Sequence, residues 1–203
     1  MKSMSNYKIS DEDGVSLVRA ARSIVTEFVK SGRKIKLDEN ERKRFSFECG
    51  IFVTLEKESD LRGCIGFPLP RRLDTALPEA AIAAATNDPR FPPVTVDELD
   101  KITFEVTVLT PPVELKVEPS QIPSSIKVGR DGLIVKQGPY SGLLLPQVPV
   151  EYGWNEQEFL AHTCQKAGLP QDCWKKEDTR VFSFEGIIFR ESSPNGQVVR
   201  HFL

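Results

Sequence analysis

Between Lys101 and Thr110 the chain reads Ile102-Thr103-Phe104-Glu105-Val106-Thr107-Val108-Leu109, with apolar and polar residues taking turns. A repeat of two places Ile102, Phe104, Val106 and Val108 on one face of a β-strand and Thr103, Glu105 and Thr107 on the other. The apolar face must be covered, so this strand needs a packing layer. Residues 11–31 predict a helix whose apolar stripe reads as core packing. Val15, Val18, Ala21, Val25, Phe28 and Val29 recur at helical spacing, and Leu17 and Ile24 widen the stripe. Ser10 caps its start, with Asp11, Glu12 and Asp13 in the first turn, and Gly32 ends it.

The other elements follow from the same signals. Residues 50–56 and 61–67 read as a hairpin across the polar turn Glu58-Ser59-Asp60, and Pro68 and Pro70 stop its second strand. A helix starts near Asp74 or Thr75, accommodates Pro78 in its first turn and ends at Asn87-Asp88-Pro89. Thr95 to Glu98 has the form of a capping box. The Pro- and Ser-rich residues 111–125 are a connection, followed by a meander of Ile126–Val128, Leu133–Lys136 and Gly142–Leu145, with a turn at Arg130-Asp131-Gly132. Asn155 and Glu158 box in a helix that Gly168 ends. A long strand over 181–189 and a last one over 198–202 flank the turn Pro194-Asn195-Gly196.

At 203 residues, 39% hydrophobic and 28% charged, the chain can bury a core. Its net charge of −2 argues against a strongly basic nucleic-acid surface. Residues 33–48 are dense in charge, but acids interleave with bases and no stacking aromatics alternate with them, which favours a solvated connector. No apolar run approaches the ~20 residues that span a bilayer, and the first residues have no signal-like apolar core, so a cytoplasmic protein is expected. Cys49, Cys64, Cys164 and Cys173 form no Cys-x-x-Cys pair, and neither His162 nor His201 completes a zinc spacing. Neither a metal or cofactor site nor a disulfide framework is expected.

The chemistry concentrates at Leu61-Arg62-Gly63-Cys64-Ile65-Gly66. On a strand, Arg62 and Cys64 share a face, and a fixed positive charge beside a thiol favours the nucleophilic thiolate. Gly63 and Gly66 mark a bulge or a close approach by a ligand or another chain. Two readings stand: a reactive or ligand-facing Cys64 with Arg62 as anion partner, or Cys64 as a small core residue. Asp88 and Arg90 lie on a proline-braced loop, either presented to a site near Cys64 or paired locally. Arg62 and Arg90 would hold an anionic substrate, with Asp88 or His162 as proton carriers. Glu105 could serve as a general base if a cleft desolvates it, and is otherwise a solvent-facing strand residue. Gln147, between two prolines, could present its amide to a ligand or simply end a strand.

Taken in order, Gly50–Leu55, Leu61–Gly66, Asp88-Pro89-Arg90-Phe91, Gly142-Leu143-Leu144-Leu145-Pro146-Gln147-Val148, Trp154 and Lys166-Ala167-Gly168-Leu169 resemble the AMMECR protein family over nearly the whole chain. The resemblance implies an α+β fold of two lobes with a cleft between them, and no particular reaction. Microbial relatives are often encoded beside, or fused to, Memo-like and radical S-adenosylmethionine modules, so partners of those types are implied, met in trans. The resulting expectation is a flexible tail over 1–9 and a single α+β domain over 10–203, two-lobed, with a mostly antiparallel sheet and a few packed helices. Its function would be that of an enzyme or small-ligand-binding protein with a Cys64/Arg62 site, including Gly63, Gly66, Arg90 and Gln147 as ligand contacts. The alternative is an interaction or scaffold domain without catalysis.

Overall fold

The computed structural model describes residues 8–201. The tail expected over 1–9 lies mostly outside the described residues, as does the end of the strand expected over 198–202. The fold is α+β, and every recorded strand pairing is antiparallel. The described residues form two compact units, one from 8–109 together with 187–201, and one from Thr110–Gly186.

The first unit contains α1 (Asp11–Ser31), α2 (Glu39–Arg44), β1 (Glu48–Lys57), β2 (Asp60–Arg72), α3 (Leu73–Thr86) and β3 (Ile102–Leu109). Helix α1 starts at a reciprocal box between Ser10 and Asp13 and ends on left-handed Gly32, whose N–H donates to the Phe28 carbonyl. Strands β1 and β3 pair in register from Gly50↔Leu109 to Lys57↔Ile102, so Ile51, Val53 and Leu55 lie on the same face as Phe104, Val106 and Val108. These residues are fully buried together with Leu17, Ala21 and Ile24 of α1 and Leu73, Leu77, Ala80 and Ala81 of α3. Truncating Phe104 would cost about 3–5 kcal/mol.

A buried ion pair sits in this core. Arg22 of α1 is 7% exposed and Glu191 of β7 (Arg180–Glu191) is fully buried. The Arg22 Nε donates to Glu191 Oε1 at 2.7 Å, its Nη atoms donate to the Glu191 carboxylate and to the carbonyls of Leu99 and Ile102, and its guanidinium stacks on Phe104. Glu191 also accepts from the Phe104 N–H and from Arg19. Each polar atom is thus paired, which is the condition under which a buried ion pair is tolerated.

The hairpin turn is tighter, and its second strand longer, than the sequence suggests. Glu58 and Ser59 both take positive φ, as a two-residue primed turn requires. β2 continues through Pro68 and Pro70 to Arg72, correcting the expected stop. It is an edge strand, and its register with β1 shifts between Cys49 and Ile51, where the prolines fall. An edge strand can hold proline because its outward positions need no ladder donor.

In the second unit, β5 (Asp131–Gln137) pairs with β6 (Tyr140–Leu144) and with β7, and β7 also pairs with β4 (Val113–Glu114). Asp131-Gly132 opens β5 and is not the expected turn. The Asp131 carboxylate is buried and accepts from the Lys127 N–H and from Arg130. Ile126–Val128 is no strand, and Gln147 does not end one: it begins α4 (Gln147–Tyr152). α5 (Glu156–Lys166) has the predicted Asn155–Glu158 box. Its Cys164 forms a disulfide with Cys173, Cα atoms 6.0 Å apart, against expectation. Left-handed Gly168 reverses the chain after α5 and brings the turn at Cys173 back against the helix, an encounter that linear spacing does not reveal.

Candidate functional site: a thiol, a hydroxyl and a carboxyl in one row

Thr54 of β1 lies opposite Cys64 of β2 on one side and opposite Glu105 of β3 on the other. The three side chains form a row across the face of the sheet turned away from α1 and α3. The Cys64 N–H and carbonyl point to the free edge, so Cys64 and Thr54 are a non-hydrogen-bonded pair, the kind that brings side chains closest. The Thr54 hydroxyl is 3.3 Å from the Cys64 sulfur.

Asp88 and Arg90 close on this edge. The Asp88 carboxylate, 4% exposed, accepts from the Cys64 N–H at 2.9 Å and from the N–H, Nε and Nη2 of Arg90. Arg90 Nη2 in turn lies 3.5 Å from the Cys64 carbonyl. Together they occupy the backbone positions that another strand would bond, which seals the edge at Cys64. Hydrogen bonds from Arg90, then from the Cys64 and Arg90 backbone, hold the Asp88 carboxyl far below the usual range against the opposing effect of burial. It therefore stays ionised at neutral pH, held between Arg90 and the Cys64 N–H.

Arg62 shares the Cys64 face by alternation, but its guanidinium turns to the loop before β3. It donates to both Glu98 carboxylate oxygens, at 3.1 and 3.0 Å, and to the carbonyls of Pro92 and Pro93. These bonds pull the Glu98 carboxyl down to about 2 despite burial. Arg62 thus has its donors engaged and positions the loop. Arg90 is the nearer cation. Even so, burial pushes the Cys64 thiol up, with Glu105 and Asp88 adding to it, while Thr54 and Arg90 oppose only in part. The expected thiolate stabilised by Arg62 is not what the surroundings favour.

Glu105 is half-buried, and desolvation, reinforced by Glu56, pushes its carboxyl up to about 7. Arg190 opposes this, but its hydrogen-bond partner is Glu56, at 3.3 Å. No hydrogen bond to the Glu105 carboxyl is recorded among the described residues. The glycines are accounted for by packing: a side chain on Gly63 would strike the Ala84 carbonyl of α3, and one on Gly66 the Phe52 ring and Ile51 carbonyl. His162 stacks on Trp154 at 3.8 Å between ring centroids in the second unit, which also holds Gln147. Among the described residues no group of three or more His, Cys, Asp or Glu could hold a metal ion.

The AMMECR1 family profile matches residues 18–189. This chain belongs to the AMMECR1 family. It is 54% identical over 200 residues to a protein of Thermococcus gammatolerans, covering 96% of this chain and 98% of that one. A protein of Pyrococcus abyssi is 53% identical over 202 residues, covering 97% and 98%. The crystal structure of an uncharacterised protein from Pyrococcus horikoshii aligns with a TM-score of 0.83 at 51% identity, covering 97% of this chain and all of that one. Within this AMMECR1 domain the stretch at 61–66 and the Asp88–Phe91 loop, far apart in sequence, meet at the Cys64 peptide. No helix among the described residues is long and apolar enough to cross a membrane.

Proposed function

We propose that this AMMECR1 domain is an enzyme, or a binding protein for a small anionic ligand, whose site is the Cys64–Thr54–Glu105 row. The observation that carries the reading is Glu105: a desolvated carboxyl titrating at about 7, opposite the Thr54 hydroxyl that contacts the Cys64 sulfur. A carboxyl at that value exists in both forms near neutral pH, as a general base requires. Cys64 keeps its proton until a base takes it. Glu105, next in the row beyond Thr54, is the base that takes that proton, and the sulfur adds to a carbonyl-type carbon of the ligand. The S–C bond forms, the C=O electron pair moves onto oxygen, and the proton held on Glu105 is returned there. Arg90 is half-exposed and uses Nε and Nη2 on Asp88, which leaves Nη1 to meet an anionic group beside the thiol. Arg62, Asp88 and Glu98 hold the edge that presents Cys64.

The test is the pH profile of Cys64 alkylation by iodoacetamide, read by peptide mass, with the buried Cys49 as internal reference. The expected profile rises through an inflection near pH 7 before the thiol's own titration, and Glu105→Gln removes that first rise. One inflection, above the ordinary thiol range in both proteins, overturns the reading.

A further inference from the structure

A second site lies on the helix side of the first unit, where the charged residues 33–44 face α3. Thr75, Pro78, Glu79, Ile82 and Ala83 recur three and four residues apart, so they share one stripe of α3. Ile35 faces that stripe from the connector between α1 and α2. Together they bound a cavity of about 440 Å³, within the range of small-molecule pockets. Its floor is apolar, from Pro78, Ile82, Ala83 and Ile35.

Its rim is cationic. Lys34, Lys36 and Arg42 border the cavity, all exposed, and none has a salt bridge among the described residues. The two acids in the lining are already engaged. Asp74 is 4% exposed and held by Arg72 through Nε at 3.1 Å and Nη2 at 2.9 Å, while Arg42 acts on it only from a distance. Glu79 pairs with Arg71 at 2.9 Å. Three positive charges are therefore left over an apolar floor. Neighbouring charged residues differ: Arg33, Lys43 and Arg44 are paired with Glu27, Glu39 and Asp13.

We propose that this cavity binds an amphiphilic anion, a carboxylate or phosphate carried on a short apolar chain. The chain lies along Pro78 and Ile82, and the head group meets Lys34, Lys36 and Arg42. The proposal is independent of the Cys64 row, which is on the opposite face of the sheet.

Methyl NMR of the isoleucines in the full chain tests it, with sodium octanoate, octyl phosphate and octanol as probes. The expected result is saturable shifts of the Ile35 and Ile82 methyl signals with octanoate, octyl phosphate or both. The two anions separate a carboxylate from a phosphate preference. Octanol should bind about tenfold more weakly, and so should the anions to the Lys34→Ala/Lys36→Ala protein, since each exposed ion pair is worth about two- to fivefold. The melting temperature of that variant checks that it folds. Absence of shifts with either anion, or equal binding of octanol, or equal binding by the double variant, overturns the proposal.

Discussion

Glu191 and Glu105 are both carboxylates of the first unit, both withdrawn from water, and β3 touches them from opposite faces. Glu191 accepts from Arg22, from Arg19 and from the N–H of Phe104, and each oxygen has a partner. Glu105, one residue along β3, has Arg190 nearby, but that arginine is bonded to Glu56. The same residue type is a structural keystone on the helix side and a group held near its titration point on the other. What separates them is how many donors burial supplies.

Breaking the satisfied side has the largest consequence. Glu191→Ala leaves the Arg22 guanidinium buried without its counter-ion and should cost about 3–5 kcal/mol. Both tryptophans lie in the second unit, so hydrogen exchange of the β3 amides is the appropriate readout for the first. Relieving the unsatisfied side should act in the opposite direction. The folded value of Glu105, about 7, is above its reference of 4.5, so the native state retains a proton that the unfolded state loses between those values. Stability therefore falls as pH rises from 4.5 to 7, by about 3 kcal/mol. Glu105→Gln should match wild type at pH 4.5 and exceed it by about that amount at pH 8 in urea unfolding, while losing the Cys64 rise near pH 7.

Asp88 sharpens the contrast, because its shift has the reverse sign. Its folded carboxyl lies below the reference of 3.8, so its contribution is complete above that pH and is lost as pH falls toward the folded value. Asp88→Asn should cost about 1–3 kcal/mol at pH 7 and flatten the acid limb of the stability curve. The smallest effect concerns the thiol. Above pH 9, where Cys64 ionises by itself, Glu105→Gln should speed alkylation a few-fold, since a like charge beside it is gone.

Local signals were legible in the sequence where local contacts decide the structure. The caps of α1 and α5 and the alternation of β3 are where spacing put them, because their partners are three residues or one strand repeat away. The proline end assigned to β2 was wrong because edge position is a property of the sheet, invisible to the strand itself. Asp131-Gly132 has a turn's composition, yet a buried carboxylate ties it to Lys127 and Arg130 as the start of a strand. At the site, Cys64 and the Asp88–Arg90 loop could be named from residue type. That Arg62 serves Glu98 and not the thiol depends on a contact between residues 36 apart. Glu105 looked like a surface residue because alternation says which face a side chain takes, not what covers that face.

The first unit is also assembled from two separate lengths of chain, one ending at Leu109 and the other starting at Ile187. On the ribosome, Arg22 emerges 169 residues ahead of its counter-charge at Glu191. Until then the α1 layer has no neutralising group to close upon. The nascent polypeptide must carry an unmatched cation while those intervening residues are made, and completion of this unit is timed by the length that starts at Ile187.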